Sequence, residues 1–510
     1  MTSYLSVQQH IIFKVGSAYA IAIGLVVSFL IVVPPAFADE ENEINNPKLH
    51  NSVAVLPFDN LSPNPDDAYF AVGIHQQILD HLTKIRDINP IYRPSVLRYE
   101  DTDKAIAEIA AELNVETIMK GSVRYVDNQF NIDVQLIDAS NNIQLWSKAY
   151  KRNLSDVFEI QAEIVGHIAL ALAANITAAE QKRVKRVPTQ SLQAYTLYLK
   201  AMILIKKINQ MMSPEFYQYL DQAIALDSEF ALAHAIKARS YALTKRVSRQ
   251  IGELTPDEIE SVALEHIKIA MALDPNLVMA HMAQAEIHRS HQRVTETKQA
   301  YEQSLQLGPN IVELLINFSH FSLYLGEADK ATLLAEHAQA LTPNDATSHY
   351  LLGGQLMYAG KSALAAEQFR RAIALEPNFF YYLNLFFAEI LSGNDVEALQ
   401  SADQLMNEIA NTTTMARVAY AYSRLGHQKD AIRVYKLLET TVATGKTIKP
   451  HAKALSYLAI GEIDKAYDLL FKNPTDGLNP LKEIKDNLLN NPVLEEPRFV
   501  ELRDRIGTSN

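Results

Sequence analysis

The sequence predicts an α+β amino-terminal domain followed by an all-α superhelix of paired helices, with one hydrophobic helix ahead of both. Three observations carry this. Prolines 275, 309, 343 and 377 recur every 34 residues, in "LDPN", "LGPN", "LTPN" and "LEPN". A strand-like block with apolar runs and alternation precedes them between Ser52 and Arg152. Nineteen uncharged residues run from Val15 to Val33.

A chain of 510 residues exceeds one ordinary domain, and 48% hydrophobic content is enough to bury substantial cores. Charged residues make up 21% with both signs mixed, which argues for a folded body. The net charge of −12 disfavours nucleic acid as a partner. Without cysteine there are no disulfides, thiolate nucleophiles or Cys-ligated metals.

As a helix, Val15 to Val33 would reach about 28 Å, close to the thickness of a hydrocarbon core. Lys14 precedes it and "DEENE" (Asp39 to Glu43) follows. The charge bias therefore puts residues 1–14 in the cytoplasm and the rest outside it, as a single-pass protein of the bacterial inner membrane facing the periplasm. Ala36-Phe37-Ala38 has the small-x-small form of a cleavage site, and Pro34-Pro35 would break the helix just before it. The apolar run exceeds the usual signal-peptide core, so a retained anchor at 15–33 is expected; a soluble periplasmic protein cleaved after Ala38 is the alternative. Residues 39–50 read as a linker.

Residues 51–187 read as βαβαβββα with a mixed sheet. "SVAVLPF" (Ser52 to Phe58) is an unbroken apolar run, the pattern of a strand buried on both faces. Ile74, Ile78, Leu82 and Ile85 recur at helical spacing, as do Ile106, Ile109, Ala110 and Leu113. Between these two helices, "PIYRPSVLRY" is expected to hold the second strand. Three strands then follow as an antiparallel meander with turns at Asp127-Asn128 and Asn141-Asn142. Val157, Ile160, Ile164, Ile168 and Leu172 mark one face of a closing helix.

"SVAVLPFDNLSPNPDDAYFAVGI", "AAELNVETIMKGSVRYVDNQFNIDVQLIDASNNIQLWSKAYKR" and "DVFEIQAEI" resemble the TolB-type amino-terminal domain that precedes tetratricopeptide repeats in many bacterial signalling proteins. In that family the domain follows a membrane span, which in turn follows a cytoplasmic effector: a winged helix of the CadC type, an adenylate cyclase or a kinase. Only 14 residues precede the span here, so the effector's activity is not carried over.

Aligned on the prolines, Ala365, Phe369 and Ala372 fall at the spacings of the tetratricopeptide (TPR) pattern, as do Ala263, Ile267 and Ala270. Gly326, Gly360, Gly393, Gly426 and Gly461 mark the turn inside each helix pair. The expectation is a TPR solenoid of about seven repeats over 191–472, interrupted by an insertion around "VSRQIGELTPDEIE" and closed by a capping segment at 478–510.

No catalytic, metal or cofactor site is expected. "GGQLMYAGKS" (Gly353 to Ser362) has the wrong glycine spacing for a phosphate loop, and "TGKT" at 444–447 lacks the upstream glycine. His281, His288 and His291 share a helix but lack a clear third ligand position. "QKRVKRV" (Gln181 to Val187) reads as a solvated helix end. The repeat register places Met282, Arg289, Ile316, Asn317, His320, Tyr350, Tyr381 and Asn384 on a concave groove for a protein or peptide. Leu383 and Phe387 of the aromatic run "FFYYLNLFF" point into the helix pair instead. The reading is a non-enzymatic, membrane-anchored scaffold with no bound cofactor; the alternative is a sensory module that signals through a separate effector. Oligomeric state is left open.

Overall fold

The computed structural model describes residues 50–472 apart from 65–66, 128, 154–155, 205–212, 245–254 and 409–410, together with Pro497. The expected segments at 1–14, 15–33 and 478–510, and nearly all of the linker at 39–50, lie outside the described residues. No helix among the described residues is long and apolar enough to cross a membrane. The described residues form two compact units, one within 50–348 and one within 349–472.

The first unit opens with a mixed sheet. Strand β1 (Ser52–Val55) lies between β3 (Asn89–Pro90) and β4 (Thr117–Val126), parallel to both. β4 continues antiparallel through β5 (Gln129–Asp138) to β6 (Ile143–Asn153), giving the expected meander. Asp127 and Asn142, in its two turns, take positive φ. The two-residue β2 (Asp59–Asn60) pairs with β4. β1 is buried on both faces because its side chains alternate: Val53 and Val55 join one core, Ala54 the other. Helices α1 (Ala68–Leu82) and α4 (Val157–Ala171) cover the first face, while α2 (Arg93–Leu97) and α3 (Ile106–Leu113) supply the second.

Two details correct the expected order. The second strand is confined to Asn89–Pro90, and the middle of "PIYRPSVLRY" is the short helix α2. Pro94 sits in its first turn, where a fixed φ suits a helix and the missing N–H costs nothing. A further helix, α5 (Ala178–Val184), starts on a Thr177–Glu180 capping box.

TPR-like helix pairs follow. In the first unit α6 (Leu192–Leu204) pairs with α7 (Pro214–Leu226), α8 (Ala231–Thr244) with α9 (Pro256–Leu273), α10 (Val278–Ser290) with α11 (Val294–Leu307), and α12 (Val312–Tyr324) with α13 (Ala328–Ala340). Helix α14 (Ala346–Tyr358) contains the boundary between the units. The second unit comprises most of α14 with α15 (Ser362–Leu375), then α16 (Phe379–Leu391) with α17 (Asp395–Glu408), α18 (Thr412–Arg424) with α19 (Gln428–Ala443), and α20 (Pro450–Ala459) with α21 (Ile463–Lys472). The described residues thus hold eight pairs, against an expectation of about seven. Gly326, Gly360, Gly393, Gly426 and Gly461 all turn between paired helices with φ of 76–83°. The small residues Ala263, Ala270, Ala365 and Ala372 are fully buried, letting paired helices cross closely.

The sheet and the first helix pairs share one hydrophobic core, which runs from Val53 through Tyr198 and Phe230 to Ile287. Polar contacts reinforce it. Asn310 Nδ2 donates to the carbonyls of Ile85 (3.0 Å) and Ile88 (2.6 Å), Tyr92 N donates to the Leu341 carbonyl (2.9 Å), and Asn344 Nδ2 donates to Tyr99 Oη (3.1 Å).

Candidate functional site

The eight groove residues inferred from register fare unequally. In the first unit Met282 is buried within a core that also takes in Tyr92, from the segment between β3 and α2. Ile316 packs against the same core. Arg289 donates to the Glu286 carboxylate at 2.6 Å, and Glu286 also accepts from Tyr301 Oη at 3.1 Å. Asn317 and His320 are half-buried. This face of the helix pairs therefore already receives a segment of the chain itself.

In the second unit Tyr350, Tyr381 and Asn384 are 0%, 3% and 3% exposed, so their expected presentation to a ligand is corrected to an internal packing role. Asn384 Nδ2 donates to the Phe380 carbonyl (2.8 Å) and to Tyr350 Oη (3.4 Å), and the Tyr350 and Tyr381 rings lie 4.9 Å apart. Burial raises the Tyr350 phenol above its ordinary value. The register argument missed how closely successive first helices pack, which closes over side chains of this size. Leu383 and Phe387 are buried as expected.

Among the described residues of this unit there is a cleft of about 640 Å³ lined by Pro377, Asn378, Phe379, Phe380, Leu383, Asn411, Thr413, Thr414, Arg417 and Lys449. Its walls are the starts of three first helices, α16, α18 and α20. Asn378 caps α16 by accepting from Phe380 N (2.9 Å), and Asn411 caps α18 by accepting from Thr414 N (2.9 Å). Lys449 is the N-cap residue of α20, with Pro450 locking its first turn. Thr412 Oγ1 donates to the Thr447 carbonyl (2.8 Å), tying the loop before α20 to α18. Phe379 and Phe380 meet nearly edge to face, with centroids 5.4 Å apart at 73°, and both are half-buried. Opposite these two bulky rings the next first helix begins with three threonines, and the difference in side-chain length leaves the volume. The lining joins the half-buried rings of Phe379 and Phe380 to the exposed Lys449, with Arg417 buried among them.

Sequence reasoning overlooked this set. The signal was the pair of cap asparagines, Asn378 and Asn411, just ahead of helical runs: residues at helix starts lie at the edge of a repeat, outside the positions that repeat register assigns to a groove.

The other candidates resolve into structure. Glycines 353 and 354 lie within α14, and Gly360 is a repeat turn. His281 Nε2 lies 2.8 Å from the Pro275 carbonyl, and His291 pairs with Glu260. Among the described residues no group of three or more potential ligands could hold a metal ion. In the basic cluster Arg183 donates to the Lys84 carbonyl (3.2 Å), and Arg186 bonds Asp274 (3.0 Å) and the Leu273 carbonyl (2.8 Å). Two of its cations thus bind α5 to neighbouring elements of the same unit.

No family model matches the chain. It is 34% identical over 208 residues, 41% of its own length, to "Putative adenylate cyclase 3" of Rhizobium meliloti, and it spans about a third (35%) of the length of that relative. Among solved structures it is similar to YrrB, described as a TPR protein with an unusual peptide-binding site (20% identity, 37% of this chain, 91% of that one, TM-score 0.31). It is also similar to PilF of Pseudomonas aeruginosa (18%, 45% and 98%, TM-score 0.33) and to PilW, a type IV pilus biogenesis factor (17%, 41% and 94%, TM-score 0.34).

Proposed function

We propose that this chain is a non-enzymatic envelope scaffold, held to the bacterial inner membrane by residues 15–33 with its folded body in the periplasm, that docks a protein or peptide in the cleft of its second unit. The observation that carries the docking reading is the cleft between Phe379, Phe380, Arg417 and Lys449, preformed by capped helices so that little order has to be created on binding. The membrane reading rests on the uncharged run and its flanking charges. Residues 51–187 are read here as a TolB-type domain on the quoted motifs and the strand order.

A photo-crosslinking residue placed at Thr413 in cells should give a discrete adduct that disappears when Phe379 and Phe380 are both changed to alanine. An adduct insensitive to that change rejects the cleft. A phosphatase reporter fused after Lys472 should be active; an inactive fusion rejects the orientation.

A second reading is a sensory module acting on a separate cyclase or transcription effector. It is favoured by the similarity to the cyclase-named relative. Replacing Val15 to Val33 by an unrelated span should then abolish signalling while the body stays folded, and unchanged signalling rejects it.

A further inference from the structure

We propose that one end of the first unit seats on an anionic lipid surface, an inference that rests on the anchored reading above and names what the sheet domain meets. The sheet defines this end. β1, β3 and β4 start there, β5 finishes there at Asp138, and β6 begins beside it at Ile143. The chain enters at the same place, since Asn89 Nδ2 donates to the His50 carbonyl (2.8 Å) and Asn89 N to the Asn51 carbonyl (3.1 Å). Only residues 34–49 lie between His50 and the uncharged run Val15 to Val33, which limits their separation to at most about 60 Å. With that run in a bilayer, the tether keeps this end at high effective concentration near the lipid, so a weak interfacial attraction is enough to seat it.

Two kinds of side chain are exposed at this end. Along β6 and α4, Lys148 pairs with Glu163, and the Trp146 ring stacks on His167 with centroids 4.7 Å apart at 18°. The next step of that succession brings Ile143 level with Leu170; Ile143 stands on the α4 face because it pairs with Asp138 as Trp146 pairs with Leu136. Singly, an exposed aliphatic side chain is ordinary, but here two adjoin where the chain arrives, 56% and 77% exposed. The cations come from Arg86, in the loop between α1 and β3, and from Lys182 and Lys185, in α5 and at its C-cap. Arg86 N donates to Glu180 Oε1 (2.9 Å) and Asn175 N to the Asp87 carboxylate (2.7 Å), which ties α5 and the segment before it to this end. Burial of Glu180 and Val184 turns Lys182 and Lys185 outward. All three cations are exposed, and none is ion-paired among the described residues. The carboxylates beside them are occupied or withdrawn: Asp87 is held by Asn175, Asp138 accepts from Ser140 and Asn141, and Glu116 is half-buried. Adjoining aliphatic side chains beside free cations suit a lipid interface, where the acyl boundary takes the first and phosphate groups the second. The four carboxylates between Asp39 and Glu43 are the competing partner for these cations.

The test exploits the absence of cysteine from the chain. Leu170→Cys and, at the far end of β6, Asn153→Cys each take one fluorophore, and the full chain is reconstituted in vesicles of phosphatidylcholine alone or mixed with phosphatidylglycerol, both containing lipid with a spin-labelled headgroup as quencher. The label at 170 should be quenched at least about threefold more with phosphatidylglycerol than without it, added salt should weaken that difference, and the label at 153 should be unaffected in both lipids. Joint replacement Arg86→Glu, Lys182→Glu and Lys185→Glu should lower the ratio of seated to unseated molecules about tenfold or more, with circular dichroism unchanged because all three side chains are exposed. A chain that stays with the vesicles through an alkaline wash while its label at 170 is quenched no more than that at 153, or equally in both lipids and in the charge-reversed variant, overturns the proposal and leaves the anchored reading standing. Release by the alkaline wash overturns the anchored reading itself and this proposal with it. Neutral replacements of Asp39, Glu40, Glu41 and Glu43 should leave the quenching in place; its loss makes the chain's own carboxylates the partner of the cations and overturns the proposal. Disulfide-linked pairs of unlabelled Leu170→Cys that form equally with and without lipid make a second copy the occupant and overturn it as well.

Discussion

Asn310, Asn344 and Asn378 follow the prolines of three successive repeats, yet they do different work. Asn310 is buried and donates twice to backbone carbonyls at Ile85 and Ile88, while Asn344 reaches Tyr99 and Asn378 turns back to cap its own helix. Asn310→Ala should therefore destabilise the first unit by about 2–3 kcal/mol, because two buried carbonyls lose their donor. Urea unfolding followed by tyrosine fluorescence checks this, and a change within about 0.5 kcal/mol would show that the carbonyls find other partners. A second residue-scale case is the contact of His234 and His266, whose Nδ1 atoms lie 2.7 Å apart. Burial lowers both, His266 to about 4, and the groups facing them are Lys237, Asp221, Asp227 and Glu265. Between the ordinary histidine value near 6.5 and about 4, the unfolded chain binds a proton that the folded pair refuses. Stability should therefore fall as pH drops through that window and level off below it, by about 1 kcal/mol after allowing for solvent screening of a half-buried ring. Denaturant midpoints at pH 7.5 and 4.5 measure the slope, which His266→Gln should flatten.

At the scale of elements, small residues set how closely helices approach. A Cβ at Gly353 in α14 would lie 2.6 Å from Phe369 Cε1 in α15, and Phe369 is fully buried. Gly353→Ala should cost about 1–3 kcal/mol through displacement of that ring. Gly166, in α4, has no heavy atom within 4 Å of such a Cβ, so Gly166→Ala should instead stabilise by about 0.5–1 kcal/mol. Opposite signs in thermal unfolding are the expected result, and a neutral Gly353 variant would mean that α14 and α15 can separate at little cost. The glycines at repeat turns were legible in the sequence because positive φ leaves few alternatives. The short α2 was not, since "RPSVL" carries both strand-like and helix-start signals and only the neighbouring β3 and β1 decide between them.

On the scale of the whole molecule, the shared core has a consequence for dissection. Residues of the sheet and of the first helix pairs bury one another, from Val53 to Ile287, so residues 191–348 expressed without 51–190 should lose cooperative unfolding. Circular dichroism melts of 191–348 alone and of the joined segment 51–348 test this, and a sharp melt of 191–348 alone would show that the helix pairs are self-sufficient.

The repeat register, the turn glycines, the alternating β1 and the antiparallel meander were determined by the sequence itself, because each is a local rule of spacing that neighbouring residues cannot override. Which residues are open to a ligand was decided only by the tertiary structure. Tyr350, Tyr381 and Asn384 hold the spacing of a groove but are covered, whereas the half-buried Phe379 and Phe380 and the exposed Lys449 come together from helix starts up to 70 residues apart. Exposure depends on the size of what packs across the gap, and a one-dimensional pattern does not contain it.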